Sequence, residues 1–519
     1  MPVGGTGIAM ALYWKTIVLV VGAIGVAWMI VMPWLADAKE KRWLTSIAIA
    51  AAGCVAISFT SVPYLIAVPL FGVVIAALLA QRIPAAAVLI LMVALLPSAE
   101  MPITNVAGVG VLFILSVPLF ASLALLVTAG VRQPAKLPFE LTGAGLISIV
   151  FLAIYSWLEM RGSPVTTIAR VVAQRVITFG VPCLILSQYR TERPEFLIKA
   201  LFFATIAASL IMVVEIVRVL PIYRGVIELR GGELSTDWGM LMRSGRFRAL
   251  GPFRHALEAS IFMGVAITMA AAMWMAGRRS PWVLLSALFA IAGLATTGSR
   301  SGMLAAGTGL LVLFVIRRNF AMAAVTLVAG YGVSKIYAMN ATADQIANSE
   351  YRLNMLLNMP PLLKGHFLLG NNQAIASGLF DDFIQGEGIV DFVNAYLGIL
   401  AIGGMLSLGL FLASIGAMAW SWKRLKAAQP TPDELMLGQA LIASIGAIAM
   451  ALTVSSGFSD AFLLMFVLGG VLVGLRRQAE SAMRARRRAA ARAVREDRGL
   501  ADPANPGDRV GGFVAVRQG

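Results

Sequence analysis

LIKALFFATIAASLIMVVEIVRV, from Leu197 to Val219, is a stretch of hydrocarbon side chains long enough to cross a bilayer, with Glu215 and Arg218 near one end. A span needs about 20 predominantly apolar residues, because an α-helix rises about 1.5 Å per residue through a core about 30 Å thick. Working outward, similar runs recur near residues 16–36, 44–60, 64–80, 84–98, 106–129, 141–159, 171–188, 256–276, 281–297, 301–316, 320–338, 393–419, 437–456 and 460–475. Apolar residues make up 59% of the 519 and charged residues only 13%, which excludes an ordinary soluble domain. The runs are continuous in Leu, Ile, Val, Ala and Phe rather than alternating, so helices are expected and not a barrel. The fold class read from the sequence is therefore all-α, a polytopic transmembrane helical protein with about 14–15 spans. No signal-peptide start precedes Tyr13, so the first span is expected to stay in the chain. Cys54 and Cys183 each lie inside an apolar run, and neither points to a disulfide or a metal site.

Six regions follow: transmembrane helices over 1–222, an arginine-rich loop over 223–255, helices over 256–338 with a turn at 298–302, a large loop over 339–392, helices over 393–475, and a basic tail over 476–519 expected to fray into disorder. Nine arginines between Arg476 and Arg498 account for much of the positive net charge, and their place just past the last apolar run fits a cytoplasmic anchor rather than nucleic acid. Alternating the spans puts Lys39, Lys41, Arg42, Arg193, Arg278, Arg317, Arg424 and the tail on one side. The positive-inside rule makes that side cytoplasmic, so both polar loops face outward.

The loop from Tyr223 to His255 then breaks the rule, because it places Arg224, Arg230, Arg243, Arg246, Arg248 and Arg254 outside. Two readings are open: weak surface pairs with Glu228, Glu233 and Asp237, or retention for a bound anion. Arg246, Arg248 and Arg254 have no acidic neighbour until Glu258, which favours the anion. Arg170 and Arg218 are either snorkelling residues or part of a site, and Arg175, about a turn deeper than Arg170, is the better site candidate. In Thr296-Thr-Gly-Ser-Arg-Ser-Gly302 the position between the two glycines is Arg300, so no hydrolase serine is implied. The segment reads as a tight outward turn presenting Arg300 to anionic lipid or phosphate. There is no GxxxxGK[ST] loop, which argues against ATP hydrolysis. His255 and His366 are the only histidines and stand alone, so no metal is expected from them. Asp381, Asp382 and Glu387 are either a carboxylate metal site or, as preferred here, a solvated loop face.

Three ordered segments resemble the O-antigen ligase and polysaccharide polymerase superfamily of bacterial envelopes. They are Arg246-Phe-Arg-Ala-Leu-Gly-Pro-Phe-Arg-His255, the turn Thr297-Gly-Ser-Arg-Ser-Gly302, and Tyr351-Arg352 with Pro360-Pro-Leu-Leu-Lys-Gly-His-Phe-Leu-Leu-Gly370, closing on Asp391-Phe-Val-Asn-Ala-Tyr-Leu397 and Gly398, Gly403 and Gly404. Where ligases of that family carry a histidine before the asparagine, this chain has Val393, with Asp391 two residues earlier; the polymerases, more varied there, fit better.

The resemblance implies a GT-C-like glycosyltransferase without cofactor or metal. It would sit in the bacterial inner membrane with a periplasmic active face and a cytoplasmic tail, and would move a glycan from undecaprenyl diphosphate to a sugar hydroxyl of a lipid-linked repeat unit. The implied partners are the lipid bilayer, a flippase and a chain-length regulator, with no nucleic acid. Arg254, Arg300 and Arg352, then Arg248 and Arg175, are the expected diphosphate ligands, since fixed guanidinium groups stabilise a departing diphosphate. Asp391 is the expected base, with His255 and His366 as competitors. Tyr351, Asn394 and Tyr396 are the expected sugar contacts. Ligation onto lipid A or another acceptor, and membrane transport, are the alternative functions.

Overall fold

The computed structural model describes residues 6–35, 37–60, 64–97, 100–106, 109–132, 143–189, 193–223, 242–243, 246–339, 343–373, 392, 394–455 and 460–497. Every expected span overlaps a helix. In chain order these are α1 (Thr6–Val31), α2 (Ala38–Ser58), α3 (Tyr64–Ala80), α4 (Ala85–Leu95), α5 (Val117–Arg132), α6 (Gly143–Glu159), α7 (Val165–Arg175), α8 (Val181–Leu186) and α9 (Pro194–Arg218). They continue as α10 (Ala256–Met275), α11 (Pro281–Thr297), α12 (Arg300–Ile316), α13 (Phe320–Met339), α14 (Ala343–Leu362), α15 (Ala395–Ala427), α16 (Pro432–Ala451) and α17 (Asp460–Asp497). Among the described residues, six helical stretches are long and apolar enough to cross a membrane: Trp14–Trp34, Val165–Leu186, Pro194–Arg218, Ala256–Met275, Ala395–Ala427 and Pro432–Val454. Others, such as α11 and α12, are apolar but shorter. The chain is thus a helical, multi-pass membrane protein by length and composition.

Burial separates centre from rim. The most apolar window of α10 is 83% buried and that of α9 72%, against 33% for the first helix. Leu284, Leu288 and Ile291, at i, i+4 and i+7 on α11, are all more than half exposed. An apolar stripe turned outward suits lipid. Between α10 and α12 the contact is made by small residues. A Cβ on Gly264 would lie 2.9 Å from both Ala305 Cβ and Gly302 O, and Gly309 sits against Thr268. Close approach of this kind is how helices associate where lipid removes the hydrophobic drive.

Four expectations need correction. The run 106–129 is a strand up to Ser116: β1 (Glu100–Val106) pairs antiparallel with β2 (Val109–Ser116), and helix begins only at Val117. A short apolar run does not distinguish strand from buried helix by periodicity, and Pro118 suits the first turn of a helix that begins at Val117. A second two-residue pair, β3 (Met242–Arg243) with β4 (Arg246–Phe247), also departs from an all-helical chain. The span 171–188 is not continuous α-helix, since Val176–Gly180 forms a π-helical segment just before Pro182. Pro182 has no N–H for the Thr178 carbonyl, and Ser122 Oγ donates to that carbonyl instead, at 3.0 Å. Finally, the basic stretch after Arg476 remains helical through Asp497.

One end of the bundle is tied by ion pairs. Arg193 pairs with Asp37, Lys199 reaches Glu40 at 3.3 Å and Glu195 at 3.5 Å, and Arg278 bridges Glu195 and Asp433, each at 2.8 Å. Arg424 lies 3.4 Å from Glu480. These contacts join the segments that the alternation of spans places on one side.

Candidate functional site at the opposite end

At the opposite end the backbone is organised by a buried acid. Glu215, near the end of α9, accepts N–H bonds from Ile222, Leu250 and Gly251, each at 2.8 Å, and is fully buried. It thereby holds the segment that leads into α10. Gly251 adopts φ +58°, with Met212 Cγ 2.9 Å from where a Cβ would be.

That segment is also fastened to the turn between α11 and α12. Arg248 Nε donates to Thr297 O at 3.0 Å, and the Ala249 N–H donates to Thr296 O at 3.1 Å. Gly298 caps α11 at φ +57°, a left-handed conformation that favours glycine. Ser301 Oγ lies 2.6 Å from Ser299 Oγ and 3.2 Å from Ser260 Oγ, which ties the turn to the second turn of α10. Arg300 is exposed as the first residue of α12. Two of the three resembling segments therefore meet.

Arg254 and His255 immediately precede α10. His255 is its N-cap, and burial together with the charges of Arg254 and Arg248 pulls the imidazole down to about 4. It is neutral at pH 7, and its low basicity makes it a weak proton acceptor. One turn on, Glu258 is buried and interacts electrostatically with Asp460, the first residue of α17, and with Arg254. Sequence reading noted Glu258 only as a partner of Arg254 and missed Asp460. An acid just inside an apolar helix was the available signal.

The third segment forms a cluster of its own. α15 breaks at Gly404, where φ is 65° and ψ −172°. The turn after α14 pairs with the break: Met405 N–H donates to Phe367 O at 2.9 Å, Leu406 N–H to Leu368 O at 3.1 Å, and Asn371 N–H to Ala401 O at 2.7 Å. A Cβ on Gly370 would lie 2.5 Å from Ile402 backbone. Arg161, beyond α6, donates to Leu369 O at 2.8 Å, Gly370 O at 2.9 Å and Ile402 O at 3.4 Å. Asn372 donates back to Arg161 O and Glu159 O. Sequence reading did not single out Arg161.

Several expected ligands have other work. Arg175 pairs with Glu159 and lies over the Tyr155 ring at 5.5 Å, so its charge is already compensated. Arg248 uses Nε on Thr297. Asn394 caps α15, its side chain accepting from Tyr396 N–H at 2.9 Å and Leu397 N–H at 3.4 Å. Tyr396 donates its hydroxyl to Ala449 O at 2.7 Å and packs on Phe411. Tyr351 is half-buried against the small apolar cluster of Met355, Met359 and Leu397. His366 is exposed in the turn after α14. Arg352 is on α14. Asp391, Asp381, Asp382 and Glu387 lie outside the described residues, and among the described residues no acid, histidine and cysteine cluster suits a metal ion.

Neither protein-family models nor the curated proteins match this chain.

Proposed function

We propose that this chain is a bacterial inner-membrane polysaccharide polymerase of GT-C-like architecture. It would transfer glycan from undecaprenyl diphosphate to a sugar hydroxyl of a lipid-linked repeat unit, on the periplasmic face. One observation supports this reading above the others: the Arg246–His255 lead and the 297–302 turn, distant in sequence, are fastened together by Arg248 and Ala249. Guanidinium groups from two helix starts then stand at one end of the bundle. Departure of a diphosphate needs positive charge placed in advance, and arginine supplies it as a fixed bidentate fork. Arg254 and Arg300, with Arg352 from α14, carry that role in this reading. Asp391 is the base in this reading, a carboxylate three residues before Asn394 in the resembling segment. Arg161, Glu159 and Arg175 act as positioning residues that fix the glycine break of α15 beside the site.

The test is the size distribution of surface and secreted polysaccharide after deletion of the gene, with lipid-linked intermediates examined alongside. Loss of polymer with single lipid-linked units remaining is the expected result. Normal-length polymer left on the carrier would instead mean a ligase, and unchanged glycans would mean transport. Complementation with Arg254→Lys, Arg300→Lys and Arg352→Lys separates charge from fork geometry. Full activity of all three folded variants would remove the shared diphosphate.

A further inference from the structure

The end of the bundle tied by ion pairs carries a cluster in which cations outnumber acids. Glu480 of α17 is approached by Arg424 of α15 at 3.4 Å and by Arg476 and Arg484, one turn before and one turn after it, each at 3.9 Å. Three guanidinium groups thus share one carboxylate. All three contacts are longer than the roughly 2.7–2.9 Å of a charge-assisted hydrogen bond, so Glu480 offsets charge without satisfying the donors. Arg476 Nε is buried and has no hydrogen-bond partner among the described residues. The acids at the start of α16 are engaged elsewhere: Asp433 pairs with Arg278 at 2.8 Å, and Glu434 accepts from the Thr431 N–H and from Gln478 Nε2. Past Glu480, Arg486, Arg487, Arg488 and Arg492 are all exposed, and no acid occurs before Glu496. Depth is marked by Trp420, which is 54% exposed near the end of the α15 span, with Lys423 Nζ 5.0 Å from its ring centre. Tryptophan exposed at the end of a membrane helix sits at headgroup level, and Arg424 is one turn further along.

We propose that this cluster seats the phosphate of an acidic membrane lipid. The phosphate oxygens lie between Arg424 and Arg476 and take the donors that Glu480 leaves unsatisfied. Arg484 and the exposed arginines beyond it add a positive field that draws acidic headgroups to this rim. Net charge selects the occupant: a zwitterionic lipid offers the same phosphate but brings its own cation, which the cluster repels. Depth selects a lipid over a soluble anion, because the phosphate is held where hydrocarbon chains can follow α15 and α17 into the bilayer. The site is independent of the transfer reaction proposed above.

The test is equilibrium binding of a fluorescent phosphatidylglycerol to the full chain in maltoside, competed by unlabelled phosphatidylglycerol, by phosphatidylcholine with the same chains, or by inorganic phosphate. Phosphatidylglycerol is expected to compete at least about tenfold better than phosphatidylcholine, and inorganic phosphate not at all. Arg424→Gln with Arg476→Gln should abolish that preference. Arg486→Gln with Arg487→Gln and Arg488→Gln removes more charge outside the cluster and should keep it. Equal competition by the two lipids on the unaltered chain overturns the proposal without any variant, and release by inorganic phosphate would make the occupant a soluble anion instead. A preference that survives the double substitution, or is lost as completely in the triple one, also overturns it.

Discussion

Glu215 carries its carboxylate into a buried position and directs it at three backbone N–H groups of the chain that leads into α10. Glutamine keeps the shape but turns an amide donor toward N–H groups that themselves donate. Glu215→Gln is expected to destabilise the protein by about 1–3 kcal/mol, the cost of buried polar groups left unsatisfied. It should also make the segment before α10 more susceptible to limited proteolysis, and an unchanged melting temperature would contradict the role. His255 gives a pH dependence of defined sign. Its folded-state value, about 4, lies below the ordinary 6.5, so the unfolded chain takes up the proton first. The stability conferred by the neutral imidazole is complete above pH 6.5 and is lost as pH falls toward 4. Thermal unfolding of His255→Asn, compared with the unaltered chain across that window, should show a flatter dependence on pH.

The break in α15 is an element held by its neighbours. At Gly404 the backbone takes a conformation essentially restricted to glycine, and Leu368 O occupies the space a side chain would need. Gly404→Ala is expected to cost at least about 1–3 kcal/mol from strain alone. Gly409→Ala, on the same helix with open space around it, should be neutral or mildly stabilising. Measuring the two melting temperatures together separates the break from a general effect of glycine. Gly370 and Gly404 were each visible in the sequence, in separate segments, but their meeting was not, because it is a contact between those segments. Arg161 was invisible for a related reason: a cation after an apolar run reads as a boundary charge until its three carbonyl partners are brought to it. Pro182 lay in a run read simply as one span, and the Ser122 hydroxyl that answers the freed Thr178 carbonyl comes from another helix.

At the scale of the molecule, hydrocarbon runs bounded by charge were sufficient to locate the helices, since run length and charge are local properties. They were insufficient for the hairpin before α5, because the pairing partner of each strand residue decides that structure. They were insufficient too for the candidate site, whose clustering depends on which helix ends meet. What the alternation of spans asserts, and what helix positions alone do not orient, is that Arg279 and Lys364 lie on opposite sides of the membrane. Both are exposed, one between α10 and α11 and the other in the turn after α14. The chain's two cysteines, Cys54 and Cys183, are buried, so a cysteine introduced at either exposed position dominates thiol labelling. A membrane-impermeant maleimide applied to cells with a permeabilised outer envelope is expected to label Lys364→Cys and spare Arg279→Cys, with both labelled after lysis. Labelling of both in intact cells would break the alternation. Reversal of the pattern would put the arginine-bearing turn in the cytoplasm, where a periplasmic polymerase has no use for it, and the proposed reaction would fall with the topology.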